Sequence, residues 1–120
     1  MIYPINVLGE TSMVKDAAQA ARVRLAEIRA AAHARAAALV PGGVWTSGLS
    51  VVLVALSGQP VGTMTVARAN QIIADAQAIW SALLDAESAI EAVLADEALT
   101  EAEKVAAIDA VWPAWPETQA

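Results

Sequence analysis

The recurrence of apolar side chains between Thr65 and Asp96 constrains this chain more than any other feature. Val66, Ala69, Ile73, Ala76, Trp80, Leu83, Glu87, Ile90 and Leu94 follow one another at alternating steps of three and four. That spacing lays one seam along a helix. Ile72, Ile79, Ala86 and Val93 widen the seam on one side, while Arg68, Asp75, Ser81, Asp85, Ser88 and Ala92 are expected to lie away from it. At 1.5 Å rise per residue the helix is roughly 45 Å long, too long for a small globule to enclose. Ile73, Trp80 and Leu83 on this ridge are therefore candidate contact residues for neighbouring chains.

The rest of the chain is expected to cover that rod, and composition decides how well. Hydrophobic residues make up 58% of the 120 positions, which excludes ordinary disorder. Phe is absent and aromatics are only 4%, so Ala, Val, Leu and Ile must do most of the packing. Ala side chains bury little area each, and a small Ala-rich helical chain is expected to gain stability from partner chains. A single domain of 1–120 is expected, mainly α: two long helices packed antiparallel plus a short C-terminal helix, with a small β-ribbon or extended arm.

In chain order, residues 1–10 alternate loosely and contain Pro4, which suits an extended arm or edge strand. Residues 12–40 form the first long helix, capped by Thr11 or Ser12 with Asp16 in its first turn. Its seam is Val14, Ala18, Ala21, Leu25, Ile28, Ala32 and Leu39, interrupted by Arg35, and Pro41-Gly42-Gly43 stops it. Residues 44–62 are punctuated by Gly48, Gly58, Pro60 and Gly62. The run Val51-Val52-Leu53-Val54 reads as a short buried strand, although periodicity alone does not separate it from a short buried helix. Thr63 or Thr65 caps the 65–96 helix. Thr100 opens a short helix over 100–112 with Glu103 three residues on, a capping-box spacing. The prolines of Trp112-Pro113-Ala114-Trp115-Pro116 end it, leaving 113–120 as a tail.

Charge is segregated. Lys15, Arg22, Arg24, Arg29 and Arg35 are five of the seven basic residues, whereas ten of the thirteen acids lie from Asp75 to Glu117. Complementary helix faces, within the chain or between subunits, account for this. Nucleic-acid binding by the first helix is the sharper alternative, opposed by the net charge of −6 and by the lack of aromatics among the arginines.

Few residues offer chemistry. Without Cys there is no disulfide, thiolate site or Cys nucleophile. His33 is the only histidine and has no partner in sequence for a metal or a triad. Asp96, Glu97, Glu101 and Glu103 lack the order and glycine turn of a calcium loop. No catalytic, cofactor-binding or metal-binding residues are assigned, and no cofactor is expected. The longest apolar run, Val51 to Leu56, is far below the ~18 residues of a membrane span. The start lacks the basic opening of a signal peptide, so a cytoplasmic site of synthesis and assembly, with no membrane partner, is expected.

Two irregularities match. Glu87 falls where the long seam expects an apolar side chain, and Arg35 interrupts the first seam in the same way. A buried carboxylate must be paired or neutralised, so either Arg24, Arg29 or Arg35 is the partner of Glu87, with Arg35–Glu87 as the specific pairing, or the helix leaves the core before Glu87. Trp112 and Trp115, beside prolines near the end, either anchor a partner chain or fold back over the chain's own helices.

From Gly62-Thr63-Met64-Thr65-Val66 the chain runs into the Ala-rich helix, an acidic break, and then Ala106-Ala107-Ile108-Asp109-Ala110-Val111-Trp112-Pro113. This order resembles the C-terminal part of small bacteriophage tail and tail-fibre-associated proteins, over about Thr63 to Pro116. The resemblance implies a non-enzymatic virion structural protein of the tail, baseplate or fibre, or a chaperone of fibre assembly. It also implies homo-oligomers and other virion proteins as partners, and it brings no catalytic residues. The alternative from another class is a helical dimeric regulator that binds nucleic acid through the basic first helix.

Overall fold

A computed structural model describes residues 16–40 and 48–117 of the chain. Four helices account for most of them: α1 (Ala17–Leu39), α2 (Leu49–Ser57), α3 (Val66–Ala95) and α4 (Glu101–Ala110). The expected arm over 1–10 lies outside the described residues. Within them there is no strand, only an isolated antiparallel bridge between Val61 and Met64.

The 30-residue α3 is the backbone of the arrangement. Thr65 caps it with its hydroxyl, which accepts a hydrogen bond from the Arg68 amide. α1 runs antiparallel to it: Arg29 lies beside Glu87, and Ala32 and Ala36 lie near Ala76 and Ile79. α2 packs on α3 after the 58–65 turn, and α4 packs on both long helices. The radius of gyration is 20.2 Å, against roughly 14 Å for a compact chain of this length.

Three ionic caps tie the helix ends together. Glu101, the first residue of α4, accepts the Ala17 amide at 2.8 Å and so helps Asp16 satisfy the N-terminus of α1. In return Arg24 of α1 donates to the Asp109 and Val111 carbonyls, each at 2.8 Å, where α4 ends. Lys104 donates to the Leu94 carbonyl at 3.0 Å and closes the α3–α4 corner. The Thr100–Glu103 capping box is formed reciprocally, as its spacing implies. Arg24→Ala leaves the two α4 carbonyls without their charged donor. We expect it to cost about 2 kcal/mol, readable as a lower urea midpoint with an unchanged slope.

Three expectations are corrected. Asp16 is the N-cap of α1 rather than a first-turn residue, because its side chain accepts from the Gln19 amide. Residues 49–57 are helical rather than extended. Gly58, with φ +71°, supplies the left-handed stop and donates its amide to Val54, and the helix sets Val51 and Val54 together on α3. The third correction is the rotation of α3. Its buried side is Ala69, Ile72, Asp75, Ile79, Leu83, Ala86 and Ile90, so the expected flank of the seam is its centre. Trp80 is 59% exposed, Ile73 is half-buried, and Asp75 is buried with Gln71 donating to its carboxylate at 3.1 Å.

The core is continuous over all four helices. Its largest fully buried side chains are Ile28, Ile90, Ile108 and Val54, one from each helix. Several of the remaining positions are alanines, which permit close helix approach but each remove little apolar area from water.

Candidate interaction surface

The residues singled out from the sequence divide into those the fold uses and those it leaves open. Arg35 does not meet Glu87. Glu87 accepts from Arg29 Nε at 2.8 Å. In the antiparallel register Arg35 stands six residues further along α1, roughly 9 Å from that point. It lies instead over the Trp115 ring, with Cζ 5.0 Å from the centroid. Arg29 is 58% exposed in its side chain, so the pair contributes little. A double-mutant cycle on Arg29→Ala and Glu87→Ala is expected to return about 0.5 kcal/mol of coupling.

The two C-terminal tryptophans fold back over the chain's own helices. Trp112 and Trp115 meet edge to face, with centroids 6.3 Å apart. Arg24 covers Trp112 at 4.8 Å. Arg24 and Arg35 are three helical turns apart on α1, so the tail lies along one face of that helix. Pro113 beside them is buried. The Trp115 indole N–H is also buried and has no acceptor among the described residues, which offsets part of what the ring contacts contribute. Behind the tail, Trp112, Pro113 and Pro116 face Ala78, Ala82 and Ala86 of α3 across a groove of about 570 Å³.

The carboxylates after α3 have structural partners. Asp96 accepts from the Ala98 amide, while Glu101 and Glu103 serve the helix starts described above. Among the described residues no group of three acids or histidines converges as a metal site, and no helix is long and apolar enough to cross a membrane. His33 is exposed on α1. It lines a groove of about 390 Å³ with Arg29, Ala32, Ala36, Ile79, Trp80 and Leu83. Trp80 stands as the ridge beside this groove, and Leu83 forms part of its buried floor.

The surface that sequence reasoning missed is on α2. Val51 and Val54 are buried against α3, yet Leu49, Val52, Leu53 and Leu56 remain exposed, Leu56 by 82%. These four follow the i, i+3, i+4, i+7 spacing of a second helix face. α2 is therefore apolar on both sides while only one side is covered by the described residues. The available signal was the absence of any charged residue between Arg35 and Arg68, a window of 32 positions. A surface helix normally carries charge on its outer face, and this one has none to present. No protein-family model, curated protein or solved structure matches the chain.

Proposed function

We propose that this chain is a non-enzymatic component of a multi-chain assembly and that it acts through protein–protein contacts. The observation that carries the reading is the exposed row Leu49, Val52, Leu53 and Leu56 on a helix without charge. An uncovered apolar face of this kind marks a contact site. The disposition of ionisable groups agrees with it. Glu101, Glu103, Lys104 and Arg24 are engaged at helix ends, and Arg29 pairs with Glu87.

The setting we propose is a bacteriophage tail, baseplate or fibre, assembled in the host cytoplasm, with the chain either kept in the virion or acting as an assembly chaperone. That setting rests on the resemblance of residues 63–116. A nucleic-acid regulator would use the α1 arginines; Arg24 and Arg35 lie over Trp112 and Trp115 and Arg29 pairs with Glu87, while Arg22 is exposed, so the net charge of −6 is the stronger argument against that reading.

Co-expression with the products of neighbouring genes, followed by native mass determination, tests the reading. A complex of defined stoichiometry containing a virion protein is expected. A chain that joins no such complex, or one whose tight DNA or RNA binding falls steeply with salt, would overturn it.

A further inference from the structure

We propose that the outer face of α2 pairs with the same face of a second copy of this chain, the two helices lying antiparallel about a two-fold axis. The proposal rests on the reading of α2 as a contact surface and names its partner. Two observations favour a second copy over other occupants, and a third sets the strength of the contact.

The first is the symmetry of the row. Leu49 and Leu56 are equidistant in sequence from the midpoint between Val52 and Leu53. An antiparallel two-fold sets Leu49 of each copy opposite the Leu56 of the other, with Val52 opposite Leu53 at the centre. Such an isologous contact needs one patch that complements itself, and a row of Leu and Val with a palindromic spacing does so. Gly48 and Gly58 bound the helix.

The second is charge. Two copies of a chain with net charge −6 repel each other, most of all where the acids between Asp75 and Glu117 would meet. The 32-residue uncharged window is where they can approach without opposing like charges. It also offers nothing to an anionic membrane surface, which is recognised by Lys and Arg, or to nucleic acid.

The third is area. The exposed fractions of Leu49, Val52, Leu53 and Leu56 correspond to roughly 400 Å² per copy, or about 800 Å² for the pair. That lies below the standard interface of about 1,600 Å². It fits a reversible dimer that larger assemblies can reinforce, with dissociation in roughly the micromolar range.

Sedimentation velocity of the full chain from about 1 µM to 1 mM reads the contact. The expected result is a shift from one chain to two across that range. Leu56→Asp should raise the dissociation constant at least tenfold, while Val23→Asp on α1 should leave it unchanged. The thermal midpoints of the dilute proteins show that both variants fold. A single chain at every concentration, or a dimer indifferent to Leu56→Asp, would overturn the proposal. So would dimerisation that appears only after residues 1–15 are deleted, or binding to neutral phosphatidylcholine vesicles in place of dimerisation. A monomer that still forms a defined complex with a virion protein would remove the self-contact and leave the proposed function standing. A dimer that joins no such complex would do the reverse.

Discussion

Ile90→Ala is expected to destabilise the fold by about 3 kcal/mol, a large share of the 5–15 kcal/mol typical of a whole domain. Ile90 is fully buried on α3 and belongs to the same core as Ile28 of α1 and Ile108 of α4. The same core is rich in alanine: Ala17, Ala20, Ala21, Ala32, Ala69 and Ala86 all belong to it, with Ala86 one turn before Ile90 on α3. Alanines have no side-chain freedom with which to close a cavity, so most of the lost volume remains as a void. The fall in thermal midpoint should be roughly 12 °C. The same experiment reads the rotation of α3. Ile79→Ala, at a buried position, should cost about 3 kcal/mol, whereas Trp80→Ala on the exposed neighbour should cost under about 1 kcal/mol. Equal costs at 79 and 80 would mean that the helix presents its other side to the core.

Val54→Asp is expected to cost about 4 kcal/mol, because Val54 is fully buried and an aspartate there has no cation within the uncharged α2 to pair with. Leu56→Asp, two residues on, should change the stability of the dilute protein by less than about 0.5 kcal/mol. The contrast has structural meaning. In a strand, residues 54 and 56 share one face and the two substitutions would cost alike. In the helix they point to opposite sides. Chemical denaturation of both variants at low concentration therefore decides the local structure of residues 49–57, and similar losses would contradict the helix.

Helix ends were more legible in the sequence than helix faces. Thr65 and Thr100 with Glu103 act at single positions, through hydrogen bonds that a residue type alone supplies. Their places agree with the structure. Faces depend on contrast between apolar and polar rows, and alanine supplies little. In α3, Ala69, Ala76, Ala82, Ala86 and Ala89 sit on several sides of the helix. The row through Ile73 and Trp80 and the row through Ile72 and Ile79 were then nearly equivalent candidates for the core. Asp75 entered the buried side because Gln71, one turn earlier, hydrogen-bonds it.

Pairing across helices depends on register, which no local signal carries. Glu87 did require an arginine from the first helix, but which one followed from how α1 slides along α3. That position is set by packing and by the Glu101 and Arg24 caps at the ends of α1 and α4. The tail was undecided for a similar reason. Trp112 and Trp115 could equally have met a partner, and it is the spacing of Arg24 and Arg35 on one face of α1 that draws them home. For α2 the apolar run Val51 to Leu56 was visible, but a run that short has too few turns to declare its period. Its β-branched valines argued for a strand, and contact with α3 decided for a helix.

The account turns on one face of one short helix being open in the single chain and closed by association. Methyl chemical shifts recorded over a concentration series test this at the residues concerned. Shifts should change with concentration at Leu49, Val52, Leu53 and Leu56, while those of Val51 and Val54, already against α3, hold still. Shifts that stay constant at all six residues, or that move only on the far side of the molecule, would contradict it.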